Sequence, residues 1–290
     1  MARAEKSAKP LKTLKDTATA LEASILLCLA KPEKKAVHKL RTNTRRIEAQ
    51  LELLSMLPEL PPHEKQQADA RRLLKKIRRA AGQVRDLDVQ RDLIENEAAG
   101  KNGGTRPTPD LRKEASQLRS NLKRKRDGEA DDLRRLLKKH QSALPITFQK
   151  LLDVLAPAES LTLTELQLTG LVQDWYTSQT AHPPSAAPLQ NEDQLHEIRK
   201  QAKLARYLAE SAPKSAVRAQ RLAAKLEDLQ EAGGHWHDWL LLAKISSKEL
   251  GKSAKLPARF AAHADRSLAA YKRRLSTFAV RPETQHAKAA

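Results

Sequence analysis

Val37-His38-Lys39-Leu40-Arg41 opens one stretch of the chain, and Leu195-His196-Glu197-Ile198-Arg199 opens another 158 positions later. Each is followed by a basic residue at the same distance, Arg45 in the first and Lys203 in the second. On an ideal helix Arg41 falls about 300° and Arg45 about 340° round from His38, while Leu40, Ile47, Leu51 and Leu54 cluster at about 160–220°. His38, Arg41 and Arg45 therefore form a polar stripe opposite a buried seam. In the second stretch His196, Arg199, Lys203, Arg206 and Tyr207 fall on the equivalent stripe, opposite Ile198, Ala202, Ala205 and Ala209. Both stretches read as amphipathic helices with a cationic line along one side.

Helical periodicity extends in both directions from these two segments. It predicts helices over 5–30, 34–57, 63–98 and 109–156, the last broken near Leu144-Pro145. Further on it predicts helices over 162–181, 190–211, 213–233, 235–251 and 256–279. Gly and Pro mark a loop at 100–107 and a linker at His182–Pro188. A second landmark repeats in the same order: Gly82-Gln83-Val84-Arg85-Asp86 is answered by Gly234-His235-Trp236-His237-Asp238. Two ordered landmarks at similar offsets point to an internal duplication. The expected fold is all-α, in two four-helix halves covering 1–156 and 157–290.

Composition excludes the alternatives. The 290 residues include nine aromatics (three each of Phe, Trp and Tyr) and nine Gly, too few for a sandwich or barrel. The single cysteine, Cys28, rules out an internal disulfide framework and fits a reducing compartment. Its apolar run is too short to span a bilayer, and the basic N-terminus lacks a signal-peptide pattern, so a cytoplasmic protein without membrane spans is expected.

The formal net charge is +19, a surplus that raises affinity for polyanions while repelling itself within a compact fold. Nucleic acid, an acidic membrane surface and inorganic polyphosphate all fit that charge. On the third helix Arg71, Lys75, Arg78 and Arg85 stay within a narrow arc, a stripe about 21 Å long. Arg-Arg-Leu-Leu-Lys-Lys occurs at 71–76 and again at 134–139. Arginine leads the stripes, and its planar fork meets phosphate oxygens in two-point contact. Any single basic run is readily explained as a solvated face. Several uncompensated stripes together favour a phosphate-bearing ligand.

These motifs resemble the CHAD family, the conserved histidine α-helical domain. The residues carrying the resemblance are Val37-His38-x-Leu40-Arg41 with Arg45-Arg46, then Gly82 and Arg85-Asp86-Leu87-Asp88. The second copy is Leu195-His196-x-Ile198-Arg199 with Lys203, Arg206 and Tyr207, then Gly234 and Asp238. The resemblance implies two four-helix bundles related by pseudo-twofold symmetry, a basic central cavity that binds inorganic polyphosphate, and association with polyphosphate granules. Carried over by position, His38, Arg41, Arg45, Arg46, His196, Arg199, Lys203 and Arg206 line that cavity, with Arg85 close by. Glu48 and Leu204 depart from the pattern, standing where a basic residue is common, and so does His237.

Alternatives stay open at several residues. His38 and His196 read either as phosphate contacts or as structural histidines. Asp86 and Asp88 read either as Mg²⁺ ligands beside phosphate or as partners that hold an arginine in place. His235 and His237 point about 200° apart on a helix and have no Cys beside them, so no zinc site is expected. Gly103-Gly104 lacks the Lys-Ser/Thr of a phosphate-binding loop, and no catalytic constellation emerges. The expectation is thus a non-catalytic binder needing no cofactor or metal. The competing reading is a basic helical nucleic-acid or ribosome-associated protein, disfavoured because nine aromatics supply few platforms for base stacking. A polyphosphate- or nucleotide-processing enzyme is a third.

Overall fold

The computed structural model describes residues 7–278 apart from 59, 103–105, 181–190 and 252. The readings of Gly103-Gly104 and of the His182–Pro188 linker lie outside the described residues. The helices are α1 (Pro10–Ala30), α2 (Lys34–Ser55), α3 (Glu64–Ala98), α4 (Pro109–His140), α5 (Ala143–Leu155), α6 (Glu165–Thr180), α7 (Glu192–Ala209), α8 (Val217–Leu250) and α9 (Lys255–Thr277). Among the described residues there is no strand, only an isolated antiparallel bridge between Ala8 and Leu163.

Helix boundaries follow local chemistry. Pro10 and Pro109 stand at the starts of α1 and α4, where a missing N–H costs nothing. Proline also keeps the preceding Lys9 out of the helical region, so the first helix starts at Pro10 rather than at residue 5 as periodicity predicts. At α6, Thr164 and Gln167 form a reciprocal capping box: Gln167 N–H donates to Thr164 Oγ1 (3.2 Å) and Thr164 N–H to Gln167 Oε1 (2.9 Å). The expected break before Pro145 is present, because α4 ends at His140 and α5 begins at Ala143.

The expected break at Gly233-Gly234 is absent. Residues 213–233 and 235–251 do not form two helices; α8 runs through both glycines as one helix of 34 residues. Interior glycines cost roughly 1 kcal/mol each in helix propensity, which packing offsets. Gly233 is where the fold needs no side chain: a Cβ there would lie 2.8 Å from the Tyr271 ring and 3.1 Å from Arg199 Cγ.

Three apolar clusters hold the helices together. The first lies among α1, α2, α3, the second half of α4, and α5. It contains Cys28, whose thiol burial pushes up to about 12 and so leaves unreactive. The second lies among α6, α7, the first half of α8 and Tyr271 of α9, and it takes in Ala49 and Leu53 of α2. The third joins Ile94 of α3 and Leu111–Leu122 of α4 to Trp239 and Leu242 of α8 and Leu256–Ala264 of α9. Two of the three cores thus mix helices from both ends of the chain. That mixing seats α2 against α7 and α3 against α8, and so positions the site.

Candidate functional site

Seating α2 against α7 brings the two cationic stripes face to face. Lys203 of α7 has Arg41 and Arg45 of α2 and Arg199 and Arg206 of its own helix around it; burial first, then these four cations, push its amine down to about 7. His38 is lowered by burial and then by Arg85 of α3, Lys203 and Arg41. Arg45 is pushed to about 10, by burial above all, with Arg78 and Arg41 opposing the help it receives from Glu48. Arg199, also lowered by burial, feels Arg41 from across the helix pair. Eight of the sequence-predicted residues therefore meet in one cluster: His38, Arg41, Arg45, Arg78, Arg85, Arg199, Lys203 and Arg206.

Carboxylates thread this cluster and orient it. Asp86 Oδ1 lies 4.0 Å from Arg41 Nη2. Surrounding protein raises the Asp86 carboxyl, against the pull of Arg41, Arg199, Lys203 and Arg85, although 52% of its side-chain surface is open. Asp238 of α8 is raised by burial, with Arg199 lowering and Asp86 adding to the rise. Glu48 bridges Arg45 (3.2 Å) and Arg78 (3.0 Å). A carboxylate at position 48 thus locks two arginines of the cluster in place, a role visible beforehand only in its i,i+3 spacing from Arg45. Even so, Arg45 Nε, Arg85 Nη1 and Arg199 Nε are buried donors with no protein acceptor.

The first glycine landmark, Gly82, lets an arginine approach. A Cβ on Gly82 would sit 3.0 Å from Arg41 Nη1. A Cβ on Gly234, the glycine that the repeat spacing picks out, would meet nothing within 4 Å, whereas one on its neighbour Gly233 would lie 2.8 Å from the Tyr271 ring and 3.1 Å from Arg199 Cγ. Sequence offset cannot choose between adjacent glycines, which point about 100° apart.

The remaining predicted residues sit at the margins. Arg71 donates to Glu52 Oε2 (2.9 Å), whose other oxygen accepts from Trp175 Nε1 (3.0 Å). Lys75 and Arg46 are exposed. Arg206 belongs to the cluster but is already engaged, by Glu210 (3.1 Å) and Glu227 (2.6 Å), with its guanidinium 4.7 Å from the Tyr207 ring centroid. Tyr207 itself leaves the polar stripe and enters the core, because α7 is covered by α2 on that side as well. His196 packs on His237 with ring centroids 4.5 Å apart. Burial and Arg199 lower both rings, His237 to about 3, so the pair is neutral. Asp88 is separate from the cluster: buried, it accepts from Arg126 Nε (3.0 Å), and Arg126 also reaches the Pro32 carbonyl. That pairing ties α3 and α4 to the α1–α2 turn.

A cavity of about 340 Å³ opens beside Asp88 and Arg126, and one of about 420 Å³ lies between α3 and α4 near Arg91 and Arg119; neither includes Arg41 or Lys203. Among the described residues, no group of three or more His, Cys, Asp or Glu is placed to hold a metal ion. Nor is any helix among them long and apolar enough to cross a membrane.

The model of the CHAD-domain family matches residues 12–247. Among solved structures, the chain is similar to PptA from Streptomyces chartreusis, at TM-score 0.63 and 16% identity, covering 92% of this chain and 98% of that one. It is also similar to the CHAD domain from the plant Ricinus communis, at TM-score 0.61 and 15% identity, covering 96% of this chain and 95% of that one. No curated protein matches the chain. With its paired His–Arg helices packed together and a family match running from residue 12 to residue 247, the chain belongs to the CHAD-domain family.

Proposed function

We propose that the chain binds inorganic polyphosphate in the cleft between α2, α3, α7 and α8, without chemical turnover, and that this binding directs it to polyphosphate granules. The observation that carries the reading is the crowding at Lys203. Four cationic side chains surround one half-buried amine, an arrangement that costs the free protein stability and that a polyanion relieves. The unpartnered donors of Arg45, Arg85 and Arg199 support it, since buried N–H groups without acceptors are rare and phosphate oxygens would satisfy them. In this reading Asp86, Asp238 and Glu48 hold the guanidinium groups toward the ligand. His38 meets phosphate at the cleft edge, and His196 braces α7 through His237. Arg46, Arg71 and Lys75 flank the cleft as outer contacts.

The aromatic residues favour polyphosphate over a single-stranded nucleic acid. Seven of the nine are buried, and Trp175 and Phe278 pack at the edge of the second core. No free ring is left as a stacking platform. We also read 1–156 and 157–290 as two related halves around the cleft. The order of helix lengths supports this, 21, 22, 35 and 32 residues for α1–α4 beside 16, 18, 34 and 23 for α6–α9. So do the close approaches of Gly82 to Arg41 and of Gly233 to Arg199.

The test is competitive binding of long-chain polyphosphate, duplex DNA and single-stranded RNA at about 50 and 300 mM salt, where counterion release weakens unspecific contacts. Preference for polyphosphate that survives the higher salt is expected. Equal affinities that all collapse with salt would refute the reading.

A further inference from the structure

A second group of cations runs outward from the cleft, and the proposed site uses only its first member, Lys75. On α3, Lys75, Lys76 and Arg79 sit at about 40°, 140° and 80° from Arg71 around the helix axis. They run from the face where Arg71 and Arg78 meet α2 round to the side facing the end of α4. There α4 finishes with Lys138, Lys139 and His140. His140 is lowered by burial and then by Lys76 and Lys139, so the two helices bring these charges together. Lys75, Lys76, Arg79, Lys138 and Lys139 are all exposed. Among the described residues none of the five is joined to a carboxylate, whereas their neighbours Arg72, Arg134 and Arg135 pair with Asp69, Asp131 and Asp132. Four of the five, Lys75, Lys76, Lys138 and Lys139, are the unpaired ends of the two Arg-Arg-Leu-Leu-Lys-Lys repeats, whose Leu74 and Leu137 point into the first core.

Part of this charge has a local explanation, because cations in the last turn of α4 suit the helix dipole. That accounts for none of the three on α3, which lie in the middle of their helix. Like charges on adjacent turns there repel by a few tenths of a kcal/mol per pair. We infer that Lys75, Lys76, Arg79, Lys138 and Lys139 form an outer phosphate track, continuous with the cleft by way of Lys75, that engages the part of a long polyphosphate chain extending beyond the central site. Rather than adding a second ligand, the track makes affinity depend on chain length: short chains fill the cleft alone, and long chains gain the outer contacts. The inference rests on the proposed binding of polyphosphate in the cleft.

The experiment compares the wild-type chain with a variant carrying Lys76→Gln, Arg79→Gln, Lys138→Gln and Lys139→Gln, all four outside the central cluster. Binding of tripolyphosphate and of long-chain polyphosphate is measured for each, with duplex DNA as a third ligand and circular dichroism to confirm the helical content. The expected result is a loss of about tenfold for the long chain, from several released counterions, with tripolyphosphate unchanged. Equal affinities of variant and wild type for the long chain would overturn the outer track. An equal loss for both polyphosphates would overturn it too, since those residues would then belong to the central site. Weakening for DNA alone would assign the patch to another partner and so refute the inference. If the wild type binds neither polyphosphate, the central proposal fails and this one with it.

Discussion

Gly82 of α3 lies directly beneath the guanidinium of Arg41 of α2, so close that a methyl group at position 82 would stand 3.0 Å from Nη1. The atom in the way is the far end of a flexible side chain, which can swing aside. Gly82→Ala is therefore expected to leave the fold intact and to gain up to about 1 kcal/mol of helix propensity. The displaced Arg41 loses its approach to Asp86 and its place beside Lys203. Thermal unfolding should show a stability equal to or above wild type while polyphosphate affinity falls. Unchanged affinity would show that Arg41 is not held where the ligand needs it.

The two glycines of α8 should respond in opposite directions. At Gly233 the obstacle is the Tyr271 ring, which is fully buried and donates its hydroxyl to the Leu195 carbonyl (3.1 Å), so it cannot retreat. Gly233→Ala is expected to destabilise by about 1–3 kcal/mol through overpacking. Gly234→Ala meets open space and should stabilise by up to about 1 kcal/mol. Denaturant titration of the two variants checks the difference. Similar values for both would contradict the close packing of α8 on α9 and Arg199.

At Lys203 the effect is on pH. Its amine, at about 7 in the free protein against an ordinary 10.5, faces Arg41, Arg45, Arg199 and Arg206. The folding penalty from that suppression is full below about pH 7 and is relieved as pH rises toward 10.5. A bound polyanion favours the charged amine and raises its pKa again. Near pH 8.5 binding should therefore take up close to one proton, and affinity should fall as pH climbs through that window. Calorimetry in buffers of different ionisation enthalpy measures the uptake, and Lys203→Arg, permanently charged, should abolish it. Proton uptake that persists in Lys203→Arg would assign it to other groups, His38, His196 and His237 first.

Glu97 at the end of α3 is the tie to α9. Its carboxylate is almost fully buried and accepts from Arg259 Nε (2.6 Å) and His263 Nε2 (3.0 Å). His263 stacks on Trp239 at 4.4 Å and receives Arg266 on Nδ1 (2.9 Å), which leaves Nε2 as the nitrogen carrying the proton to Glu97. Glu97→Ala leaves the buried Nε2 of His263 without its acceptor and removes a carboxylate from the half-buried Arg259, and should cost about 1–3 kcal/mol in chemical denaturation. A loss under about 1 kcal/mol would mean that the third core holds the helices without it.

Much of this architecture was legible in the sequence, because a helix announces itself by period. The polar line His38-Arg41-Arg45 and its counterpart His196-Arg199-Lys203 needed only the 100° turn per residue. What period could not supply was the neighbour on the other side. Tyr207 shares an angle with the cationic stripe, yet it is core because α2 covers that side of α7. Gly233 and Gly234 look like a break, yet α8 runs through them because Tyr271 and Arg199 fill the space where a Cβ would be. Glu48 read as a defect in a basic pattern and is instead the bridge between Arg45 and Arg78. Each of these depends on a contact between helices far apart in sequence, and such contacts leave no local trace.

The central claim is that cations from α2 and α7 act together on one ligand. It is tested most directly by replacing Arg41, Arg45, Arg199 and Lys203 with Gln together and measuring long-chain polyphosphate binding, with circular dichroism and thermal unfolding to confirm a folded chain. At roughly 1 kcal/mol per lost contact, affinity should drop about a thousandfold, and the dependence of binding on salt should flatten. A folded quadruple variant that binds polyphosphate as tightly as the wild type would contradict the account.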